Sequence, residues 1–429
     1  MKIIHFSKSD DKGAFLAAYR FHKQLLAAGH NSIMLVAKKT KVDKEIIEVK
    51  LNLFAKCYVK FFNFITALLV KNKTDQRYHF YNYFERFSYP VSAFENSLPF
   101  VPDIFVIHWI TGFINTKNIH GLHKKNDSPV VWRFNDMNAF TGGCHYSNGC
   151  THYFKSCGNC PALYSFREND RSSKNLAEKI RWLSKTNVVF ASSTSEIDEQ
   201  LRSSAIGTCS NTRFIMLSVN GKFFKPAEDK DAIAISLGLP PGRKIIFFGA
   251  QDMNEPRKGF KEFADALRVL KQSLTEDLAK KILLVYSTNA ENATFDWPFE
   301  STRLPYIKDD ERLANSYKAA TLLASPSIED AGPMMLAESM LCGTPVVAFA
   351  TGLAKDGVIN NITGFIVPPG DVNKFALGLQ KIIEMDAVQY RLLSNNCFSK
   401  AGELFSLQRE IAAYEQLFME LLNRRSQYV

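Results

Sequence analysis

Asp330 and Glu338 stand with seven residues between them in SPSIEDAGPMMLAESMLCGTPVVAFA (325–350), at the point where an apolar strand gives way to a helix. A carboxylate can accept two sugar hydroxyls at once, so Asp330 suits a hexose and Glu338 a ribose. Glu329, next to Asp330, is one residue out of that register. Pro333 favours a helix start, and the N–H groups near Gly332, Met334 and Met335 at such a junction suit phosphate or sugar oxygens. The plainer alternative is helix capping by Asp330 with a solvated Glu338. A second set is Arg257 and Lys258 in FGAQDMNEPRKGF (248–260), at the mouth of a strand-to-helix loop. A guanidinium binds two oxygens together and an ammonium adds a mobile point charge, which together fit a diphosphate. Cys144, Cys150, Cys157 and Cys160 form a third set, and CGNC has the spacing of a metal-ligand pair. Structural Zn²⁺ on four thiolates leaves no open position for catalysis. Disulfides, packed free thiols or a redox or iron–sulfur role are the alternatives. Finally, His108 ends the strand DIFVIHWI, while Asn135 and Asp136 end VVWRFND, with His145 following in TGGCHY. Ligands of open α/β sheets gather at such strand ends.

These residues need elements to hold them. KIIHFS, a loop with Gly13, AFLAAYRFHKQLLAAG and NSIMLVAK read as strand, turn, amphipathic helix and strand. RKIIFFGA, the 251–259 loop, a helix from Phe260 and KILLVYST repeat that grammar. TRLPYI, a helix near 309–319, ATLLASPS, a helix near 334–341, TPVVAFA and GFIVPPGD follow. Such alternation predicts parallel sheets covered on both faces. The expected organisation is a Rossmann-like domain over 1–226, a second over 227–405, and a C-terminal helix over 406–429 packing back on the first. A linker is expected at about 225–240, where KFFKPAEDKDAIAISLGLPPGR holds three prolines.

At 429 residues and 46% apolar composition, the chain can bury full-sized cores and is not a disordered tail. Residues 1–226 carry 31 basic and 17 acidic side chains, while residues 227–429 carry 22 and 26. The basic half implies an anionic partner: a phosphate ligand, an acidic membrane face or nucleic acid. Nucleic acid is disfavoured because the cysteine segment offers only Lys155 as a base. MKIIHFSKSD has no apolar run of signal-peptide length, and no 18 uncharged apolar residues run together, so no spanning helix is expected. The nearest candidate, LNLFAKCYVKFFNFITALLV (51–70), is interrupted by Lys56 and Lys60 and followed by Lys71 and Lys73. It reads either as a buried helix or as one lying on an anionic membrane surface. The cysteine content fits a reducing cytosol.

The acidic segment resembles the retaining nucleotide-sugar glycosyltransferases of family four, whose signature is an acidic residue, seven residues and Glu, followed by a Cys-Gly-x-Pro-Val-Val strand. Here it runs Asp330, AGPMMLA, Glu338 and Cys342-Gly343-Thr344-Pro345-Val346-Val347. TGFIVPPGD (363–371), the 248–260 loop and SVNGKFFKP (218–226) are similar to further segments of that family. WRFNDMNAFTGGCHY (132–146) resembles a bacterial surface-polysaccharide subgroup with a Trp-x-x-His-Asp-Met-x-x-Phe-Thr-Gly-Gly-Cys-His-Tyr motif. Trp132, Asp136, Met137, Phe140, Thr141, Gly142, Gly143, Cys144, His145 and Tyr146 match it, and Asn135 replaces the usual His. Asn can hydrogen-bond but cannot take a proton near neutral pH.

The resemblance implies the GT-B fold: α/β, with two Rossmann-like domains whose parallel sheets face a central cleft. It implies transfer of a sugar, with retention, from a nucleoside diphosphate-sugar to a glycan or lipid-linked glycan in capsule, lipopolysaccharide or related assembly. Arg257, Lys258, Asp330 and Asn135 become the expected catalytic residues. Gly13, Gly332, Met334, Met335 and Glu338 join the first three in holding the donor, and His108, Asp136 and His145 face the acceptor. No cofactor is expected for catalysis, because the Arg/Lys pair takes the place of Mg²⁺. The expected location is cytoplasmic, peripheral on the inner membrane face. A nucleotide-sugar epimerase of the same fold and a non-catalytic sugar- or nucleotide-binding protein are the rival readings.

Overall fold

The computed structural model describes residues 1–10, 13–290 and 295–426. Seven parallel strands form the first sheet: β1 (Lys2–Ser9), β2 (Asn31–Lys38), β3 (Ile46–Glu48), β4 (Ile104–Ile107), β5 (Val130–Phe134), β6 (Val188–Ser192) and β7 (Asn211–Phe214). Their order is β3-β2-β1-β4-β5-β6-β7. Six more form the second: β8 (Lys244–Ala250), β9 (Ile282–Thr288), β10 (Ser301–Leu304), β11 (Leu322–Ser325), β12 (Val346–Phe349) and β13 (Gly364–Val367), ordered β10-β9-β8-β11-β12-β13. Both sheets share one winding. Three strands run outward one way, then the chain returns to the other side of the first strand and continues. Each sheet therefore has a switch point, β1/β4 in the first and β8/β11 in the second, where ligands of such sheets bind beyond the strand C-termini.

The central strands are apolar because helices cover both faces. IFVI of β4 and VVWRF of β5 are buried at every position, as burial on two sides requires. In the second sheet, Ile245 and Phe247 face one core layer and Ile246 and Phe248 the other. This is the two-residue strand period made visible.

The chain divides into two compact units. One comprises Met1–Ser193, Ile197–Ile215 and Ile411–Val429, the other Thr194–Glu196 and Met216–Glu410. The first unit is completed by the C-terminal helix Leu407–Ser426, whose Tyr414, Leu417, Phe418 and Leu421 pack with Ile3, Phe21, Leu25 and Val106. The stretch expected as a linker differs from that expectation. It carries a helix, Lys230–Ser236, capped by the Asp229 carboxylate accepting from the Ala232 N–H, with Ala234 in the core. The chain passes between units at Ile215/Met216 instead.

The helix Leu53–Lys73 also differs from the expected absence of a spanning candidate. By length and composition it could cross a membrane, and only Val59 within it is buried.

Candidate functional site

In the second unit the switch point brings two loops together. β8 leads into the loop ending in Pro256–Lys258, and β11, hydrogen-bonded beside it, leads into the acidic loop. Backbone bonds staple these loops: the Arg257 carbonyl accepts from the Ile328 N–H at 2.9 Å and the Glu329 N–H at 3.3 Å. Gly259 permits this approach. Its φ is +66°, and a Cβ there would fall 1.8 Å from the Pro326 carbonyl oxygen.

The side chains converge accordingly. Lys258 Nζ donates to Asp330 Oδ2 at 2.5 Å, and Arg257 Nη1 lies 3.4 Å from the same oxygen. A second Arg257 nitrogen meets Glu255 at 2.6 Å. Burial pushes the Asp330 carboxyl up, and the Lys258 and Arg257 charges more than reverse this, holding it below the usual carboxylate range. The Gly332 N–H points back at Asp330 Oδ1, 3.4 Å away. Met334 opens the helix Met334–Leu341 behind Pro333, which acts as N-cap without a side-chain bond. The first-turn N–H groups of Met334 and Met335 therefore lack a side-chain cap at this end. Glu338, on the same helix, is 4% exposed and accepts from the Tyr317 hydroxyl at 3.0 Å.

The first unit builds a concavity of mixed polar and apolar lining at the ends of β4 and β5, with His108, Trp109, Arg133, Asn135 and Asp136 among its residues. Asn135 Oδ1 is buried with no hydrogen-bond partner among the described residues, the state expected of an amide that meets a ligand. Asp136 Oδ2 lies 3.1 Å from His145 Nδ1. Burial raises the Asp136 pKa, and the His145 ring beside it reverses the shift, so the carboxyl titrates below its ordinary value. Trp109 and Tyr81 flank His145, with ring centroids 5.8 and 5.4 Å away. Trp109, directly after His108, is an aromatic strand-end residue that was not singled out from the sequence.

His108 turns inward. Its Nε2 meets His5 Nδ1 at 2.9 Å, His5 Nε2 meets Ser32 Oγ at 3.0 Å, and that hydroxyl meets His22 Nδ1 at 2.7 Å. It lies at the back of the concavity, 5% exposed. Gly13 opens the helix Gly13–Ala27 after β1; the preceding residues 11 and 12 lie outside the described ones.

Cys144, Cys150, Cys157 and Cys160 line one cavity with His152 and form no disulfide. Among the described residues, no three His, Cys, Asp or Glu groups are arranged closely enough to hold a metal ion. The buried Lys179, missed in the sequence, braces this region from the helix Arg171–Leu183. Its ammonium donates to the carbonyls of Asn138 and Thr141 at 2.5 and 3.0 Å.

Residues 300–397, which contain Asp330 and Glu338, match the family model described as glycosyl transferases group 1. A D-inositol 3-phosphate glycosyltransferase of Nocardioides sp. is 25% identical over 189 residues, covering 39% of this chain and 40% of that protein. Its counterpart from Kribbella flavida is 39% identical over 70 residues, 16% of each chain. The chain thus spans less than half the length of these curated relatives. Likeness to solved structures runs along the whole chain. Sucrose-phosphate synthase from Thermosynechococcus elongatus has TM-score 0.67 at 18% identity, covering 98% of this chain and 99% of that one. Anabaena HepE, solved with UDP-glucose, has TM-score 0.64 at 13% identity, covering 99% and 100%. WaaG, a glycosyltransferase involved in lipopolysaccharide biosynthesis, has TM-score 0.58 at 14% identity, covering 96% and 98%. Two parallel-sheet α/β units with these neighbours define the GT-B fold.

Proposed function

We propose that this chain is a retaining glycosyltransferase that moves a sugar from a nucleoside diphosphate-sugar to a lipid-linked glycan in surface-polysaccharide assembly. One observation carries the reading: two cations and a carboxylate meet at the β8/β11 switch point. As the bond from the sugar to the diphosphate breaks, negative charge grows on the leaving phosphate. Arg257 and Lys258 are the preorganised cations that stabilise it. Asp330, kept ionised by them, accepts hydroxyls of the transferred sugar, and Glu338 accepts those of the ribose. Gly332, Met334 and Met335 offer backbone N–H groups to the donor.

The match of residues 300–397 supports the donor half of this proposal, as does a fold shared with a protein solved with UDP-glucose. Asn135, Asp136 and His145 form the acceptor side, with Trp109 as a stacking surface. In this proposal Asn135 hydrogen-bonds sugar hydroxyls without exchanging a proton. The leaving phosphate then takes the acceptor's proton in a front-side reaction, and no metal is required for the chemistry. The proposed location is the cytoplasmic face of the membrane, where a lipid-linked acceptor is reached. A structural zinc ion at the thiol cluster, away from the reacting atoms, would require the four sulfurs to draw together from the arrangement seen here.

A thermal-shift screen with UDP-, GDP- and ADP-sugars tests the donor assignment. One nucleotide-sugar should raise the unfolding temperature, and the anomeric configuration of the product should match that of the donor. No shift with any donor would remove the reading. Release of free sugar without acceptor would turn it into the epimerase.

A further inference from the structure

The helix Leu53–Lys73 has two different apolar faces. The inner one is anchored. Phe62 stacks on Phe87 with centroids 5.1 Å apart and planes 12° apart, Tyr58 leans on Phe87 at 5.8 Å, and Phe84 meets Phe62 edge-on. The outer face is bare. Phe54 is 86% exposed, Phe61 61% and Phe64 66%, with Leu53 and Leu68 also exposed. At about 100° per residue these five side chains fall within one arc of about 100°. Lys60 and Lys71 follow at one edge of that arc, and Lys56 lies just beyond them. The helix contains no acidic residue.

An exposed aromatic stripe edged by lysines needs an occupant that is apolar in depth and anionic at its surface. A second copy of this helix fits poorly, because it brings lysines to lysines with no carboxylate to pair them. A bilayer with anionic headgroups supplies both properties at once. The anchored inner face decides the orientation. A helix whose Tyr58 and Phe62 pack on Phe84 and Phe87 lies against the first unit, and crossing a bilayer would part those rings.

We propose that the helix Leu53–Lys73 docks the first unit onto an anionic bilayer and lies in its plane. Phe54, Phe61, Phe64 and Leu68 sit below the headgroups, and Lys56, Lys60 and Lys71 sit against the lipid phosphates. The helix thereby becomes the element that brings the acceptor side to a lipid-linked substrate. That last step rests on the function proposed above; the docking itself does not.

Co-sedimentation of the full chain with vesicles tests it, using phosphatidylcholine alone and phosphatidylcholine mixed with phosphatidylglycerol. Wild-type protein should bind the mixed vesicles at low salt and release at high salt. Each lysine near such a surface raises partitioning about fivefold, so Lys56→Gln/Lys60→Gln/Lys71→Gln should lower it about 100-fold. Phe61→Asp/Phe64→Asp should abolish it, with unfolding temperature and nucleotide-sugar binding unchanged because both rings are exposed. A fluorophore on the exposed Cys57, in a Cys209→Ser background, should shift to the blue on binding. Equal binding to neutral vesicles, equal binding by both variants, or no wild-type binding would each overturn the proposal. A dimer that the Phe61→Asp/Phe64→Asp variant dissociates would assign the face to a second copy and also overturn it. Nucleotide-sugar binding is read separately, so failure of the docking and failure of the transferase reading are told apart.

Discussion

Lys258 and Asp330, 72 residues apart in sequence, are joined by a 2.5 Å ion pair. The ammonium proposed to hold the donor's diphosphate is held here by the carboxylate proposed to hold its sugar. An entering donor offers Lys258 its phosphate oxygens and Asp330 its hydroxyls, so one pair is exchanged for two. Both groups remain satisfied throughout, which keeps the cost of opening the pair small.

Lys258→Ala should therefore lower turnover by about 10²–10³-fold, the usual size for losing one preorganised electrostatic donor. The measurement is steady-state kcat with the donor found in the screen. Unchanged kinetics in a folded Lys258→Ala protein would take the lysine out of the mechanism.

Gly259 sets where that lysine stands. Gly259→Ala must place a Cβ 1.8 Å from the Pro326 carbonyl oxygen at φ +66°. Gly242→Ala is the matched control, at φ +72° with nothing within 4 Å. Both variants bear left-handed strain of about 1–2 kcal/mol. The Gly259 variant should lose at least about 2 kcal/mol more, because backbone must move. Urea unfolding of the two compares them directly, and donor binding should fail only in Gly259→Ala. Equal midpoints would mean the two loops are not rigidly stapled.

Much of this was legible before any coordinates. Pro333 marked the start of the helix Met334–Leu341. The alternation of apolar strands with helices announced parallel sheets. The Lys258–Asp330 pair was not legible, because it depends on β11 lying beside β8, a neighbour relation that local pattern does not carry. His108 was placed at a strand end, but its ring turns toward His5, whose position in KIIHFS looked like ordinary strand. The helix Lys230–Ser236 was hidden by the prolines around it, although Asp229 three residues before Ala232 is a cap signal. The outer face of Leu53–Lys73 was ambiguous in sequence, since a buried helix and a surface one share its composition.

The buried histidines should make the first unit sensitive to mild acid. Burial, then the nearby Lys23 charge, lowers His22 to about 4, against an opposing pull from Asp43. Burial also holds His5 and His108 well below their ordinary value, helped by Arg133 and neighbouring rings. Their folded pKa values are depressed, so the unfolded chain binds more protons below pH about 6.5 and stability falls as pH drops. His22 alone should remove about 2 kcal/mol between pH 8 and pH 5. Urea midpoints across that range measure it, and His22→Asn should flatten the slope. A flat wild-type profile would show that the cluster is protonated in the folded protein.

The thiol cavity yields the last prediction. Burial pushes the Cys160 thiol up to about 11 and Cys157 up to about 12, and raises Cys144 as well, so without a cation these groups stand as neutral thiols. Thiolates gathered in so buried a place require a cation among them. Zn²⁺ would provide that charge by drawing the four sulfurs inward to bonds of about 2.3 Å. Protein purified without added metal should then carry about one zinc per chain, since a closed structural site binds tightly. A chelator should lower the unfolding temperature, and Cys157→Ser should lower both zinc content and stability. Because a closed site has no open position, nucleotide-sugar binding should survive partial zinc loss for as long as the chain stays folded. Metal analysis that finds no zinc, together with four titratable thiols in the native protein, would leave the cluster as packed free cysteines.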